Sequence, residues 1–307
     1  MRLITFTPRT APSSPPRVGA LLPGDESVLN FAVAVDASAD VPLLAWFDLD
    51  DEWLRKVRQI HDALAKNPAR VETLPRGAVI PRADVVIGPP VPRPSKIICI
   101  GLNYRDHAAE SKMAVPTSPI TFSKYVTAVA GPGQPIRLPV GSSQVDYEAE
   151  MAVVIGRRTK RVPIERAFES VLGYMNFNDV SARDFQFADG QWQRGKACDT
   201  FAPMGPYIVA RESAGNPHAL RIQCRVNGVT LQDSTTEQLV FGVDALVSFL
   251  SQTVTLEPGD VIATGTPPGV GFARKPPIFL KPGDTVEIEV EGLGILSNPV
   301  MADEAGV

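Results

Sequence analysis

The stretch Val145-Asp-Tyr-Glu-Ala-Glu-Met-Ala-Val-Val-Ile-Gly156 constrains the fold more than any other part of the chain. An apolar run closed by glycine reads as a buried strand, yet this one carries three acids near its start. Successive side chains of an extended chain alternate between faces, so Asp146, Glu148 and Glu150 share one face, opposite Tyr147, Ala149 and Met151. Residues two apart on a strand lie about 7 Å from each other, and at an effective dielectric of about 20 two ionised carboxylates there repel by roughly 2 kcal/mol. Two arrangements relieve this. One is a sheet edge with the acids in water. The other is a hard divalent cation bound through carboxylate oxygen, which selects Mg²⁺, Mn²⁺ or Ca²⁺ over softer metals.

A chain of 307 residues, 44% hydrophobic and 21% charged, buries one large core or two modest ones. The net charge of -4 offers no positive field, and no basic run carries interleaved aromatics, so nucleic acid is not an expected partner. Cys99, Cys198 and Cys224 are widely spaced and form no C-x-x-C pair, which argues against a disulfide framework or a zinc site. A reducing compartment, the cytoplasm or an organelle matrix, is expected. No apolar run approaches the roughly 20 residues that span a bilayer, so a soluble chain with no membrane partner is expected. Residues 1–22 hold Arg2, Arg9 and Arg17 and no acid, as organelle transit sequences do. They also read as two strands, Arg2–Thr7 and Arg17–Leu22, joined by the Pro/Ser-rich Pro8 to Pro16, which places them in the mature fold.

From Ala45 to Leu64 apolar residues recur at helical spacing (Trp46, Leu49, Trp53, Val57, Ile60, Leu64), with His61 on the surface beside them. The proline-rich segment Pro81 to Pro94 sustains neither helix nor central strand. It divides a small N-terminal α/β domain, residues 1–92, from a catalytic domain, residues 93–307. Lys96–Gly101 then reads as a strand. If His107 to Lys112 is helical, His107 and Glu110 share a face and hydrogen-bond. Such a pair is either surface decoration or an acid/base dyad, because a carboxylate beside an imidazole fixes its tautomer and strengthens it as a base. Ile164 to Tyr174 reads as a helix. Asp179 either caps a helix from Ser181 onward or brings a third carboxylate to the cation. Lys196 is either solvated or paired with bound oxyanions. Asn227-Gly228 marks a hairpin, Val243, Leu246, Val247 and Leu250 a helix, and Val286, Ile288 and Val290 a strand. The loop Ala263-Thr-Gly-Thr-Pro-Pro-Gly-Val-Gly271 lacks the lysine of a phosphate loop, but its N–H groups and the Thr266 hydroxyl suit a small carboxylate.

The segments Cys99-Ile-Gly-Leu-Asn-Tyr-Arg-Asp-His-Ala-Ala-Glu110, Asp146-Tyr-Glu-Ala-Glu150, Asn178-Asp-Val-Ser-Ala-Arg-Asp184, Gly195-Lys-Ala-Cys-Asp-Thr-Phe-Ala-Pro203 and Thr264-Gly-Thr-Pro-Pro-Gly-Val-Gly271 together resemble the signatures of the fumarylacetoacetate hydrolase superfamily, over roughly Lys96 to Pro299. Phe122-Ser-Lys124 and Arg274-Lys-Pro-Pro-Ile-Phe-Leu280 are similar to the subgroup called fumarylacetoacetate hydrolase domain containing protein two. The resemblance implies a strand-rich α+β fold with a mixed sheet wrapped into a roll, a homodimer paired through the catalytic domain, and a small oxo-acid substrate. Residue by residue it implies Glu148, Glu150 and Asp179 as ligands of Mg²⁺ or Mn²⁺, with Asp146 a neighbour. His107 and Glu110 become the catalytic dyad, on a segment that closes over substrate. Lys196 joins the catalytic set, and Arg183, Gln186 and Thr266 contact the oxo-acid end. Tyr125 stands where many members have proline, and Ala197 where serine or glycine is frequent; neither touches a ligand. The chemistry implied is attack of a water, deprotonated by His107, on the distal carbonyl of an acylpyruvate, breaking a carbon-carbon bond to leave a pyruvate enolate. Decarboxylation of oxaloacetate leads to the same enolate, and isomerisation of a 2-hydroxydiene acid needs only proton transfers. A noncatalytic organic-acid sensor or scaffold needs the ligands without the dyad.

Overall fold

Twenty-nine prolines and 24 glycines cut the apolar runs of this chain into short pieces, which favours strands joined by turns over long helices. The structure, a computed structural model, describes residues 1–35, 51–110 and 113–303. The chain opens with β1 (Arg2–Pro8), β2 (Arg17–Leu21), β3 (Ser27–Asn30), α1 (Phe31–Val35), α2 (Asp51–Lys66), β4 (Val79–Pro81) and β5 (Val85–Ile87). Next come β6 (Ile97–Gly101), α3 (Arg105–Glu110), β7 (Ile120–Lys124), β8 (Val129–Ala130), β9 (Ile136–Leu138), β10 (Val145–Asp146) and β11 (Ala149–Ile155). They lead to β12 (Val171–Asn178), β13 (Ser181–Ala182), α4 (Arg183–Gln186), α5 (Gln193–Lys196) and β14 (Ala202–Ala210). The last are β15 (Arg221–Val226), β16 (Val229–Thr235), α6 (Val243–Thr253), β17 (Val261–Ala263), β18 (Thr285–Val290) and β19 (Ile295–Ala302).

The main sheet runs β4-β3-β2-β1-β14-β12-β11-β17-β6-β7, with β5 beside β1 and β8 beside β14. A second sheet runs β16-β15-β18-β19-β9, and β10 pairs with β13 alone. Most pairings are antiparallel, but β17 with β6, β14 with β8 and β19 with β9 are parallel. This is the expected strand-rich α+β class. All of β11 is buried between β12 and β17, so both of its faces need apolar side chains. Met151, Val153 and Ile155 join Tyr174 and Phe177 of β12 in one core. Hydrogen bonding of the main sheet continues across residue 92, because β1 pairs with β14 as well as with β2.

Two readings need correction. Ile164 to Tyr174 is not a helix: Ile164–Ser170 is a 3-10 segment, and Val171 already belongs to β12. Gly173 explains the outcome, since a Cβ there would sit 2.2 Å from the Val209 carbonyl oxygen; strand packing against β14 overrides the local apolar spacing. His61 is buried rather than on the surface, its Nε2 lying 3.2 Å from the Leu21 carbonyl oxygen at the end of β2. A carbonyl oxygen only accepts, so the imidazole Nε2–H is the donor. Val57 and Leu64 of the same helix are buried as expected, whereas Trp46 and Leu49 lie outside the described residues.

The remaining elements follow their patterns. Asn227 and Gly228 both take positive φ, 52° and 77°, as a tight two-residue hairpin turn demands. Val243, Leu246, Val247 and Leu250 form the buried side of α6. Among the described residues no helix is long and apolar enough to cross a membrane.

Candidate active site

The strand expected from Val145 onward breaks where its acids lie: β10 ends at Asp146, β11 begins at Ala149, and Tyr147 and Glu148 stand between. At the break Asp146 accepts the Gly271 N–H, while Glu148 turns toward Glu150. Asp146, Glu148 and Glu150 are only 0%, 6% and 1% exposed, which removes the reading of a sheet edge with solvated acids. The register of β11 against β12 sets Ala149 opposite Asn178, so the start of one strand meets the end of the other. Asp179 follows directly, and its N–H donates to the Glu148 carbonyl at 3.0 Å. One oxygen each from Glu148, Glu150 and Asp179 lies within 4.8 Å of the others. Asp179 caps no helix here; α4 starts after Ala182.

Three buried cations face these acids. Lys196 is not solvated: its Nζ donates to Glu148 Oε2 at 2.7 Å and to Asp179 Oδ2 at 2.8 Å. Arg183 lies between Asp146 and Glu148, donating from Nε to Asp146 Oδ2 at 2.9 Å and from Nη2 to Glu148 Oε1 at 2.6 Å. Its Nη1 donates to Gln186 Oε1 at 3.0 Å, so Gln186 holds Arg183 and Arg183 holds the acids. The third cation is Lys124, the last residue of the Phe122-Ser-Lys124 motif. Its Nζ lies 2.6 Å from Asp179 Oδ1, but its hydrogens donate to the carbonyls of Val180, Lys196 and Phe201 at 2.9, 2.5 and 2.7 Å. An ammonium has three hydrogens, and all three are committed to carbonyls. Asp179 Oδ1 therefore feels the charge yet has no hydrogen bond.

Electrostatics separates the carboxylates. Burial raises Glu148, but the Lys196 ammonium and the Arg183 guanidinium outweigh it and bring its pKa down to about 2. Among the described residues no cation is hydrogen-bonded to Glu150. Burial, then the Asp179 and Glu148 carboxylates, push it well above the carboxylate range, against the Gly265 N–H that donates to Oε2 at 2.9 Å. Burial also raises Asp146, opposed chiefly by Arg183. Lys196 is lowered by burial and raised by Asp179 and Glu148, with the acids prevailing, so it stays an ammonium. Four carboxylates thus meet three cations, and Glu150 is the one left over. An uncompensated buried acid, an orphaned Asp179 oxygen and an all-oxygen donor set fit a hard divalent cation.

The loop after β17 closes the site from above. Gly265, at φ 103°, brings its N–H to Glu150; a Cβ there would lie 2.8 Å from Asn103 Cβ, so only glycine fits. Gly271 donates to Asp146 Oδ1 at 2.7 Å. Thr266, between them, is buried, and its Oγ1 accepts a hydrogen bond from Gln232 at 2.8 Å. On α3, His107 Nδ1 lies 3.3 Å from Glu110 Oε2, while the Glu110 oxygens accept the Gly269 N–H at 3.1 and 3.2 Å. The pair is therefore anchored to the loop rather than loose on the surface, and His107 is close enough to the acids to lower Glu148 further.

Residues 96–301 match the family model described as fumarylacetoacetate (FAA) hydrolase C-terminal. Over 303 residues the chain is 41% identical to the mitochondrial oxaloacetate tautomerase fahd2 of Xenopus laevis, spanning 98% of this chain and 90% of that one. It is 43% identical over 313 residues to the fumarylacetoacetate hydrolase domain-containing protein 2 homolog of Dictyostelium discoideum, spanning 98% and 97%. The solved structure of maleylpyruvate hydrolase from Sphingobium sp. SYK-6, in complex with manganese(II) ion and pyruvate, aligns with a TM-score of 0.75 at 29% identity, covering 99% of this chain and 100% of that one.

Proposed function

The chain belongs to the fumarylacetoacetate hydrolase family, and on that premise we propose that it is a divalent-metal enzyme of small 2-oxo acids whose reaction is the keto-enol interconversion of oxaloacetate. The observation that carries this reading is the surplus acid: Glu150 lacks a cation and shares a 4.8 Å cluster with Glu148 and Asp179. Mg²⁺ or Mn²⁺ held by these three residues would supply Lewis-acid stabilisation of negative charge on the 2-oxo oxygen. The manganese and pyruvate named for the maleylpyruvate hydrolase structure support that ligand class, with Ca²⁺ a weaker Lewis acid of the same donor preference.

His107 is the proposed base. A carboxylate only accepts, so Glu110 holds the ring as the Nδ1–H tautomer and leaves the Nε2 lone pair for the substrate. Nε2 takes a proton from C3 of oxaloacetate, the C3–H electron pair moves into the enolate, and return of that proton from the imidazolium to the 2-oxygen, directly or through a water, completes the enol and restores the base. Thr266 and Lys196 orient the oxo-acid end, and Arg183, held by Gln186, fixes Glu148 Oε1. A second reading, hydrolysis of an acylpyruvate, uses the same residues, with His107 taking its proton from water instead. The likeness to a maleylpyruvate hydrolase favours that option, whereas the 41% identity to an oxaloacetate tautomerase favours the first. Oxaloacetate decarboxylation and isomerisation of a 2-hydroxydiene acid share the enolate and are separated from both by product.

The division of the chain at residue 92 is proposed as one of function, because every residue of the site lies beyond it. A homodimer through the catalytic part is supported by β7, which ends the main sheet beside exposed Ile120, Tyr125 and Val126. Free thiols at Cys99, Cys198 and Cys224 suit a reducing compartment, such as the mitochondrial one in the name of the Xenopus relative.

The test is product analysis with Mg²⁺. Oxaloacetate should reach keto-enol equilibrium faster, by enol absorbance, without matching pyruvate release. Faster release of pyruvate from acetylpyruvate or fumarylpyruvate would place hydrolysis first. Binding of all three with no turnover would leave the sensor.

A further inference from the structure

Thr266 helps an anionic substrate only if its hydroxyl hydrogen faces that substrate, and an isolated hydroxyl turns either way. We propose that Gln232 is the positioning residue that sets this direction and ties the anion loop to the strand of metal-ligating acids; the inference rests on the reading above. Gln232 belongs to β16 of the second sheet, yet it is 1% exposed and reaches across to the main one. Its Oε1 accepts the Ala149 N–H at 2.8 Å, between Glu148 and Glu150. Its Nε2 donates to Thr266 Oγ1 and to the Pro267 carbonyl, each at 2.8 Å.

The amide has one workable orientation. Turned over, it would set its hydrogens against the Ala149 N–H and its oxygen against the Pro267 carbonyl. With Nε2 as donor, Thr266 Oγ1 is an acceptor on that side, so its own hydrogen points away from Gln232. A single side chain from the second sheet therefore fixes both the distance from loop to metal strand and the polarity of the substrate contact.

The test uses the full chain with saturating Mg²⁺ and oxalate, a stable dianion resembling the carboxylate and oxygen of an enolised oxo acid, titrated by calorimetry. Gln232→Met removes the donor, and Gln232→Glu replaces it with an acceptor that keeps the Ala149 bond. Each should weaken oxalate about tenfold, as should Thr266→Val, the order of one hydrogen bond to a charged group. Combined with Thr266→Val, neither should weaken it further, because Gln232 acts through that hydroxyl. Mg²⁺ affinity without oxalate should stay within about threefold. Thr266→Ser, which keeps the oxygen Gln232 addresses, should retain binding, and this arm stands even where the Gln232 variants fail to fold. Unchanged oxalate binding in the Gln232 variants, losses that add in the double variant, or a Ser variant as weak as Val would overturn the assignment. If oxalate binds as described but no oxo acid is turned over, the proposed reaction fails and the role of Gln232 stands. If the unsubstituted protein binds no oxalate, both fail.

Discussion

Glu148 and Glu150 stand two residues apart and behave oppositely, because Lys196 and Arg183 hydrogen-bond to one, whereas the other accepts a backbone N–H and is dominated by burial and neighbouring carboxylates. Their substitutions should diverge accordingly. In metal-free protein, Glu148→Gln leaves two buried cations short of a partner and should cost about 3–5 kcal/mol of stability, whereas Glu150→Gln removes an uncompensated acid and should leave stability unchanged or higher, both read by urea unfolding in chelator. The pH dependence follows the same split. The folded pKa of Glu148 is depressed to about 2 from 4.5, so its contribution is full above about pH 4.5 and is lost as pH falls toward 2. Glu150 is raised, so the metal-free fold holds a proton the unfolded chain has released, and stability should fall as pH rises above about 4.5. Calorimetric melting from about pH 5 to 8 should show that fall, and added Mg²⁺ should stabilise more at each higher pH. The acids were legible in the sequence because charges inside an apolar run violate the pattern around them. Lys124 and Gln232 were not, because their partners are backbone groups and side chains that only the fold brings near.

Two strands and three short helices carry the site, with Arg183 on α4 and Lys196 on α5. β11 and β12 bring the acids together by register, and α3 holds His107 over them through the bond from Glu110 to the Gly269 loop. His107→Ala should lower turnover by about 10²–10⁴-fold with Mg²⁺ affinity unchanged, since the ring lies outside the ligand set; parallel kinetics and titration check this. Gly265→Ala should cost about 1–3 kcal/mol, measured by denaturant unfolding, because φ 103° and the Asn103 contact leave no place for a Cβ. At this scale pattern reading succeeded where a turn or an alternation is local, as at Asn227-Gly228 and in β18. It failed at Val171 to Tyr174, where apolar spacing fits a helix but the neighbouring strand β14 decides.

Over the whole molecule, the strand-rich class was legible through the family resemblance of the segments between Cys99 and Gly271, with local turn and alternation patterns marking single strands. The continuation of the main sheet from β1 into β14 was not, since Arg2 and Val209 are partners with no sequence signal linking them. The open edge at β7 predicts association: sedimentation equilibrium should give twice the chain mass of 33.0 kDa, and Tyr125→Lys should shift it toward one. On this proposal, acids at the start of β11 and just beyond β12 jointly hold the ion that makes an enolate accessible. Calorimetric titration of chelator-treated protein with Mn²⁺ tests it most directly. One ion should bind per chain, with protons released on binding, and affinity should be lost in each of Glu148→Gln, Glu150→Gln and Asp179→Asn. Binding that survives all three substitutions, or no binding to the unsubstituted chain, would contradict it.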